Sequence, residues 1–485
     1  MGNSRVVVMV ACGALICAPN ATAQTVPSPV ASVTVPAGTP VPAGQPLELT
    51  LHEAVALALR YNRNVRSAYL QRVVQRFDLR LAERAFVPRG EIGAEIAQRR
   101  YDGRTYDEVT SQASASWQTP LGGQLGFLWS RSEVDGNASY EASGISLTQP
   151  LLRGGGLAVN MAPMRIARLQ EEINRLQLEA TVSGTVTTVI TSYRNLVQAQ
   201  EQVRLAEASL ERTRDLLMTN RALIDAGRMA ETDIVQTESG VANQEVALLQ
   251  ARQQLTSAQL ALLQLLALAS RTNVVAVDDM HAARVDVDLD TAMATAFASR
   301  IDLLAQRIAL EQTRQSLIVA RNARLWDVSL VASATRDDGP QFWRRNDQTD
   351  TSVGLRLSVP LGDLSRKQTW ISAETNLKTA ELAFDELKQS VESQVLDAVQ
   401  QVEASWLRVE AARRAKNLSE RALEIAQEKL RFGRASNFEV LSLQADLRAA
   451  DAQELAANIS YLNALTALDQ QIGSTLDTWR ISLND

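Results

Sequence analysis

Residues 147–156 read "LTQPLLRGGG", which places three consecutive glycines between an alternating segment and a long helical pattern. Glycines ahead of a helix are compatible with two structures, a cradle for a phosphate group or a mechanical joint. The segment lacks both the Gly-Lys-Ser/Thr ending of a phosphate loop and the full G-x-G-x-x-G spacing. A joint is therefore favoured, and the flanking sequence decides what it connects.

Proline placement separates the chain into extended and helical parts. Of the 13 prolines in the 485 residues, six lie within residues 26–46 and predict a stiff, extended linker. None lies between Pro163 and Pro340, and none follows Pro360. Because proline breaks helix interiors, these two tracts are predicted to hold the long helices.

Each proline-free tract predicts a long helix, a turn and a returning helix, at about 163–268 and about 366–470. The turns read "IDAGRMAETD" and "RFGRASNFE", with Gly227 and Gly433 at the position after the helix end. The first long helix carries apolar residues at heptad spacing: Leu196, Val203, Leu210 and Leu217. This spacing predicts side-by-side coiled-coil packing.

The chain also repeats itself at a constant offset of 238 positions, so that Leu51 corresponds to Leu289 and Ala58 to Ala296. Each half runs helix, strands, junction, very long helix, turn and helix, and the second junction reads "VPLGDLSR". The predicted divisions are a signal peptide at 1–23, a Pro-rich linker at 24–47, a first repeat at 48–286 with strands within about 89–150, and a second repeat at 287–485 with strands within about 327–360.

Between the first helix of each half and its junction, the apolar period changes to two. The alternating apolar residues include Val353, Leu355 and Leu357, Val328 and Leu330, Ala113, Ala115 and Trp117, Leu125, Phe127 and Trp129, and Ile145 and Leu147. This pattern is typical of transmembrane β-strands and equally of a half-buried soluble sheet. Two strands per half are too few to close a barrel, and lipid tolerates no open edge, so membrane strands would require several copies in one barrel.

The first half carries about 25 extra residues around the additional turn "WQTPLGGQLGF". These residues are compatible with a further hairpin, giving six strands per chain, or with a folded-back loop. We take four strands per chain as the expected count.

The N-terminus predicts a secretory signal, with an apolar run followed by Ala21 and Ala23 in a cleavage pattern. Cys12 and Cys17 both lie inside this segment, so the mature chain is expected to have no disulfide, thiolate nucleophile or cysteine metal site. Ile16 disfavours lipidation at Cys17, and the apolar run before Cys12 is too short. No later stretch reaches the roughly 18 apolar residues of a spanning helix.

Composition gives little support for an enzyme or a nucleic-acid-binding protein. The net charge of −6 provides no basic footprint for nucleic acid. His52 and His281 are the two histidines, and neither has a partner at metal-ligand spacing. We therefore expect no catalytic residue, no metal and no cofactor.

The two-fold repeat, the signal peptide, "LTQPLLRGGG", "VPLGD" and the paired turns "AGRMAETDIVQ" and "RFGRASNFEVLSLQADL" together resemble the TolC-type outer membrane efflux protein (OEP) family. The resemblance covers about residues 47–476 and rests on order, spacing and duplication. It implies an α+β membrane protein, a homotrimer with a shared transmembrane β-barrel in outer-membrane lipid and a long α-helical coiled-coil periplasmic tunnel.

The resemblance also implies a function and partners. The trimer would be the exit duct of a tripartite efflux or type I secretion system, passively conducting substrates delivered by an inner-membrane pump. A periplasmic adaptor (membrane fusion protein) and the pump would dock at the far end of the tunnel. The alternative is a periplasmic coiled-coil adaptor or scaffold without a pore, which would leave the duplicated hairpins and the strands without a purpose.

The family resemblance places a periplasmic gate at the two helical turns. Thr232 and Asp233 match the family's Thr-Asp pair, and Glu439 matches the first of its aspartates. The family's arginine position holds Ala435, with Arg434 as its neighbour. A gate is therefore implied, with its salt bridges left open.

The turns also depart from the family pattern, and they allow a second interpretation. Ser442 stands where the family has its second aspartate, so this acidic partner is missing from the implied gate. Thr232 or Asp233, and Ser436 or Asn437, are also good N-caps for the returning helices.

Two more groups of residues are candidates by position. The exposed tips of the hairpins are candidates for adaptor docking, although each glycine among them is equally an ordinary helix C-cap: Gly227, Arg228, Gly433 and Arg434. The barrel-to-tunnel joints are expected at Pro150, Gly154, Gly155, Gly156, Pro360 and Gly362.

Overall fold

The computed structural model describes residues 46–134, 138–227, 230–279, 281–341, 344–432 and 434–483. The predicted signal peptide, with Cys12 and Cys17, and nearly all of the predicted linker lie outside the described residues. The helices are α1 Leu51–Tyr61, α2 Arg63–Glu83, α3 Leu157–Asn160, α4 Ala162–Asp225, α5 Asp233–Leu265, α6 Leu289–Ser299, α7 Ile301–Ala323, α8 Ser365–Arg431, α9 Asn437–Ile472 and α10 Thr475–Thr478. The strands are β1 Leu47–Leu49, β2 Arg89–Tyr101, β3 Arg104–Gln118, β4 Gln124–Val134, β5 Ala138–Pro150, β6 Val274–Ala276, β7 Asp327–Gln341 and β8 Arg344–Ser358.

The internal repeat is visible in the element boundaries. Helices α1 and α6 begin at Leu51 and Leu289, and strands β2 and β7 begin at Arg89 and Asp327, each pair 238 positions apart. Both first helices are capped by the side chain of the preceding residue: the Thr50 hydroxyl accepts from the Glu53 N–H, and the Asp288 carboxylate accepts from the Thr291 N–H at 3.0 Å. The 238-residue offset is therefore confirmed at the level of capped helices and strand starts.

Two long helical hairpins, α4 with α5 and α8 with α9, form the rod-like part of the chain, as their apolar spacing predicts. Helix α4 packs against α2 and α5 of its own repeat and against α7 and α9 of the second repeat. Helix α8 packs against α7 and α9. The cores are separate clusters spaced along these helices, centred on residues such as Tyr193, Val409 and Val440. No described helix is long and apolar enough to cross a membrane.

Six of the eight strands, all except β1 and β6, form one antiparallel sheet in the order β2-β3-β4-β5-β7-β8. The expected count of four strands per chain is therefore wrong. The extra residues of the first half form two complete strands, β3 and β4, because each finds a partner along both of its edges. The folded-back loop is excluded by the same pairing.

The strand register brings the alternating apolar residues of all six strands onto one face of the sheet. The cross-strand pairs on this face include Ile92 with Ala113, Ala115 with Phe127, Leu125 with Leu147, Ile145 with Ala334, Leu330 with Leu355 and Ala332 with Val353. The opposite face carries mainly polar and charged residues and glycine, with a few apolar residues such as Leu128 and Val331. Several of the apolar side chains are highly exposed, with Ile92 at 90% and Val353 at 79%. The sheet is therefore amphipathic across its full width.

The stretch 147–156 connects this sheet to α4. Strand β5 ends at Pro150, and the next N–H, that of Leu151, donates to the Val328 carbonyl at 2.8 Å. The Gly154 N–H donates to Asn322 Oδ1 at 2.7 Å, which ties the segment to the end of α7. Gly154 and Gly156 adopt φ angles of 79° and 101°, which suit glycine. The segment is a backbone joint fastened from two sides.

The second joint is simpler. Strand β8 ends before Pro360, Gly362 has φ 74°, and α8 begins at Ser365. The Asp363 carboxylate accepts the Ser365 N–H at 2.8 Å, and this hydrogen bond, together with the one from the Ser365 side chain, lowers the pKa of Asp363. One glycine is enough to turn the backbone here.

Gly155 allows a test of the first joint. A Cβ on this residue would lie 2.8 Å from the Pro150 carbonyl oxygen and 3.3 Å from the Leu151 carbonyl carbon, both backbone atoms that cannot move aside. Gly155→Val is expected to lower the yield of assembled protein in the membrane fraction severalfold. Gly184→Val is the matched control, because a Cβ there meets nothing within 4 Å. Equal yields for both variants would show that the joint tolerates displacement.

Candidate functional site at the helical turns

The first turn joins α4 to α5. Gly227 follows α4 with φ 69°, and its N–H donates to the Ile224 carbonyl at 2.8 Å, as expected for a glycine at a helix end. Thr232 is exposed and occupies the N-cap position of α5 with helical backbone angles, and its side chain makes no capping hydrogen bond. The N-cap interpretation is therefore wrong for Thr232. Asp233 is the first residue of α5, and Arg228 lies outside the described residues.

The second turn joins α8 to α9. Ser436 caps α9, since its hydroxyl accepts the Glu439 N–H at 3.1 Å, so the N-cap prediction is confirmed for Ser436. The Arg434 N–H donates to the Lys429 carbonyl at 2.8 Å. The side chains of Arg434 and Glu439 are exposed and, within the described part of this chain, form no ion pair. Gly433 lies outside the described residues.

A buried polar cluster lies next to these tips: Asn437 is the first residue of α9, and Asn220 and Thr237 lie about one helical turn inside α4 and α5. The Asn220 amide nitrogen of α4 lies 2.8 Å from the Thr237 hydroxyl of α5 and 2.9 Å from the Asn437 side-chain oxygen of α9. The Asn437 amide donates to the same Thr237 hydroxyl at 2.8 Å. Asn220 and Thr237 are fully buried and Asn437 is 5% exposed. Three helices from both hairpins therefore meet at one hydrogen-bonded point.

This cluster was missed by the sequence analysis, which considered Asn437 only as a cap. A signal was available: Ala199, Ala206, Thr213 and Asn220 recur every seven residues and are all buried. A polar residue in a core heptad series specifies which partners align with it, because an unpaired polar group there is costly. The cluster fixes the mutual register of α4, α5 and α9 near the turns.

Exposed ion pairs link α4 to α5 at further positions along the first hairpin. Three arginine–glutamate pairs join α4 to α5: Arg221 with Glu238 at 3.2 Å, Arg214 with Glu245 at 2.9 Å and Arg252 with Glu207 at 3.0 Å. Exposed pairs of this kind contribute about 0–1 kcal/mol each. They align the hairpin, whereas the buried cluster stabilises it.

Arg194 of α4 provides a second link between the two halves. The side chain is 8% exposed, and its guanidinium donates to the Leu462 carbonyl at 2.6 Å and to the Thr466 hydroxyl at 2.8 Å, both on α9. Burial lowers the pKa of Arg194 to about 10, against the opposing effect of the Asp469 charge. Burial likewise raises the pKa of Asp469. Helices of different repeats are therefore joined through a buried cation.

Comparisons with known proteins agree with one another. A family model described as "Outer membrane efflux protein" matches residues 54–268 and 293–474. The outer membrane efflux protein BepC of Brucella suis biovar 1 (strain 1330) is 23% identical over 369 residues, which cover 74% of this chain and 80% of BepC.

Solved structures share the fold at low identity. The outer membrane protein VceC of Vibrio cholerae superposes with a TM-score of 0.68 at 16% identity, covering 87% of this chain and 96% of VceC. The open state of the Neisseria gonorrhoeae MtrE outer membrane channel superposes with a TM-score of 0.66 at 15% identity, covering 93% and 97% of the two chains.

The Arg194 link can be tested by its removal. Arg194→Ala is expected to lower the free energy of unfolding by about 2–3 kcal/mol, because hydrogen bonds from charged groups are worth that much and their acceptors would stay buried. Arg204→Ala is the control, since Arg204 is exposed and pairs with Glu201 at 3.0 Å, and a loss below about 1 kcal/mol is expected. Denaturant unfolding of the purified protein in detergent, followed by circular dichroism, measures both. Equal losses would contradict a special role for Arg194.

Proposed function

This chain belongs to the outer membrane efflux protein family, and we propose that it is the exit duct of a tripartite efflux or type I secretion system. It is an outer-membrane protein whose helical part extends into the periplasm. The family consists of channel proteins, and we assign this chain no catalytic activity. The observation that carries the proposal is that one flank of α8, and one edge at each side of the sheet, are left uncovered in a single chain.

The sheet edges support assembly from several copies. Strands β2 and β8 each pair along one edge only among the described strands. Because six strands alternate in direction, β8 of one copy and β2 of the next would run antiparallel. Backbone groups in lipid must all be hydrogen-bonded, so these edges require one another.

Helix α8 supports the same arrangement. It has an exposed apolar stripe formed by Leu382, Leu396, Leu407, Leu418 and Ile425, which Phe432 continues directly after the helix end. At about 100° per residue, these positions lie within roughly 20° of one line along the helix. The buried residues of α8, such as Val391, Val402 and Val409, lie on the opposite side. Helix α8 therefore has two apolar flanks, and its own chain covers one of them.

The internal repeat indicates what covers the other flank. Helix α4, the counterpart of α8, contacts α7 and α9 of the second repeat in addition to α2 and α5 of its own repeat. The counterparts of α7 and α9 in the first repeat are α2 and α5, so α2 and α5 of the next copy are expected to pack on α8. Both carry matching apolar stripes: Leu70, Val73, Val74, Phe77 and Leu81 on α2, and Val235, Val246, Leu249 and Leu260 on α5.

Successive copies joined in this way form a closed ring, and the family resemblance supports three copies, a homotrimer of six repeats. The amphipathic sheet then forms a barrel with its apolar face toward outer-membrane lipid. The long hairpins form a tunnel across the periplasm. The turns at the far end would meet a periplasmic adaptor and an inner-membrane pump.

The turns are the proposed gate and docking tips. Thr232, Arg434 and Glu439 have exposed side chains at the turns, and Asp233 is the first residue of α5. In a ring these residues would face neighbouring copies, where ion pairs between chains can form. Gly227, Arg228 and Gly433 complete the tips proposed for adaptor docking.

The gate proposal is tested by conductance. Asp233→Ala is expected to raise the single-channel conductance in planar lipid bilayers severalfold, because it removes an anionic partner from the narrow end. Asp215→Ala, an exposed acid further along α4, is the control and should leave the conductance unchanged. An unchanged conductance for Asp233→Ala would overturn the gate assignment.

The ring proposal is tested on α8. Leu418→Glu places a charge in the stripe, at a residue that is 65% exposed in the single chain, and is expected to reduce the trimer fraction at least tenfold. Asn417→Glu introduces the same charge on the preceding exposed residue, off the stripe, and should preserve the trimer. Unheated gel electrophoresis and native mass measurement in detergent report the oligomer. Recovery of the unmodified protein as a soluble monomer would refute the channel and favour a scaffold.

A further inference from the structure

The first repeat contains two strands more than the second. Strand β2 corresponds to β7 by the 238-residue offset, and β5 and β8 both lead into a joint and a long helix. Strands β3 and β4 therefore have no counterpart in the second repeat. Whether this hairpin belongs to the barrel wall determines how wide the exit is.

The register of the additional hairpin continues both faces of the sheet. Ala113 lies between Ile92 on β2 and Trp129 on β4, within the apolar face. Ser116 and Gly126 form a pair on the opposite face. Strand β3 pairs with β2 along the whole length of β2, and β4 pairs likewise with β5. A hairpin folded into the lumen or outside the wall would break these ladders.

The turn of this hairpin, residues 119–123, is fastened to the triglycine joint. The Gly156 N–H donates to the Leu121 carbonyl at 3.1 Å. Gly122 has φ 92°, and a Cβ on it would collide with the Gly154 carbonyl oxygen and lie 2.7 Å from the Asn160 amide nitrogen. The two glycine segments thus approach backbone to backbone.

Among the described residues, no backbone hydrogen bond from a hairpin turn reaches the second joint. The first joint needs glycine at positions 154 and 156 for their positive φ angles, and at position 155 because a Cβ there would lie 2.8 Å from the Pro150 carbonyl oxygen. The second joint has one positive φ angle, at Gly362, where a Cβ would meet no atom within 4 Å. The triglycine segment therefore contacts the turn of the additional hairpin, and it also bends the chain.

We propose that β3 and β4 are part of the barrel wall, so that the trimer builds a barrel of eighteen strands instead of twelve. The inference rests on the proposed homotrimer. With strands about 4.8 Å apart and tilted by about 40°, the backbone radius rises from about 12 Å for twelve strands to about 18 Å for eighteen. The outer exit is then an open aqueous pore, and the size limit for exported solutes lies at the turn end of the tunnel.

Strand counting tests this directly on the full-length protein. Cryo-electron microscopy of the protein in lipid nanodiscs is expected to show eighteen wall strands in a trimer. A trimer with twelve wall strands, and β3 and β4 outside the wall, would overturn this inference and leave the proposed function standing. A protein that does not form a trimeric pore would overturn the proposed function itself.

A chemical test measures the exit from outside. The mature chain is expected to contain no cysteine, so Ser146→Cys on the polar face and Ile145→Cys on the apolar face give clean single-thiol variants. Thiol-reactive polyethylene glycols of graded size, added to whole cells, are expected to label Ser146→Cys and leave Ile145→Cys unlabelled. Equal labelling of both would contradict the placement of the sheet.

Deletion of residues 104–134 removes the hairpin and leaves β2 and β5 as neighbours, as β7 and β8 are in the second repeat. The size limit for labelling Ser146→Cys is expected to fall by at least a third in diameter in this background. An unchanged limit in an assembled trimer would overturn the eighteen-strand barrel. If the deletion variant does not assemble, the strand count of the intact protein still decides.

Discussion

The backbone groups along the free edges of β2 and β8 impose the constraint on which the rest of the structure depends. Lipid offers them no hydrogen-bond partner, and each unpaired group costs several kcal/mol. A single chain with six strands is too narrow to pair its own edges around a filled core. The even number of strands makes β8 antiparallel to β2 of another copy, so the edges are complementary. In the proposed trimer, the helical part below the sheet therefore has to fit a ring of copies.

The helical part suits the proposed ring because the chain already contains two copies of one structural repeat. The contacts of α4 with α7 and α9 occur inside one chain and show how one repeat meets the next. Helix α8 has the same kind of apolar flank without a cover. In the proposed trimer, hydrophobic burial along this helix of 67 residues would drive association between copies as it drives packing within one. The buried Arg194 and the cluster around Asn220 add directional contacts that fix the register of this packing.

The two joints connect the sheet to the long helices, and they differ because the turn of the additional hairpin lies against the first one. The turn at residues 119–123 packs against the first joint, where the Gly156 N–H donates to the Leu121 carbonyl and Gly122 lies against the Gly154 carbonyl. Among the described residues, the second joint has one positive φ angle, at Gly362. What resembles a phosphate-binding motif in the sequence is a joint whose glycines supply positive φ angles and room for close backbone contacts.

Local chemistry alone determined much of this protein. Pro163 and Gly227 lie within two residues of the ends of α4, and Pro360 lies five residues before the start of α8. The 238-residue offset located the capped helices, because caps and helix limits depend on neighbours in sequence. Tertiary structure decided the rest. The strand count depended on whether β3 and β4 found partners. Thr232 does not cap α5 through its side chain, and its backbone angles at the N-cap position are already helical. Asn220, Thr237 and Asn437 became one site only because α9 meets α4 and α5, and Asn437 lies 217 residues from Asn220 in sequence.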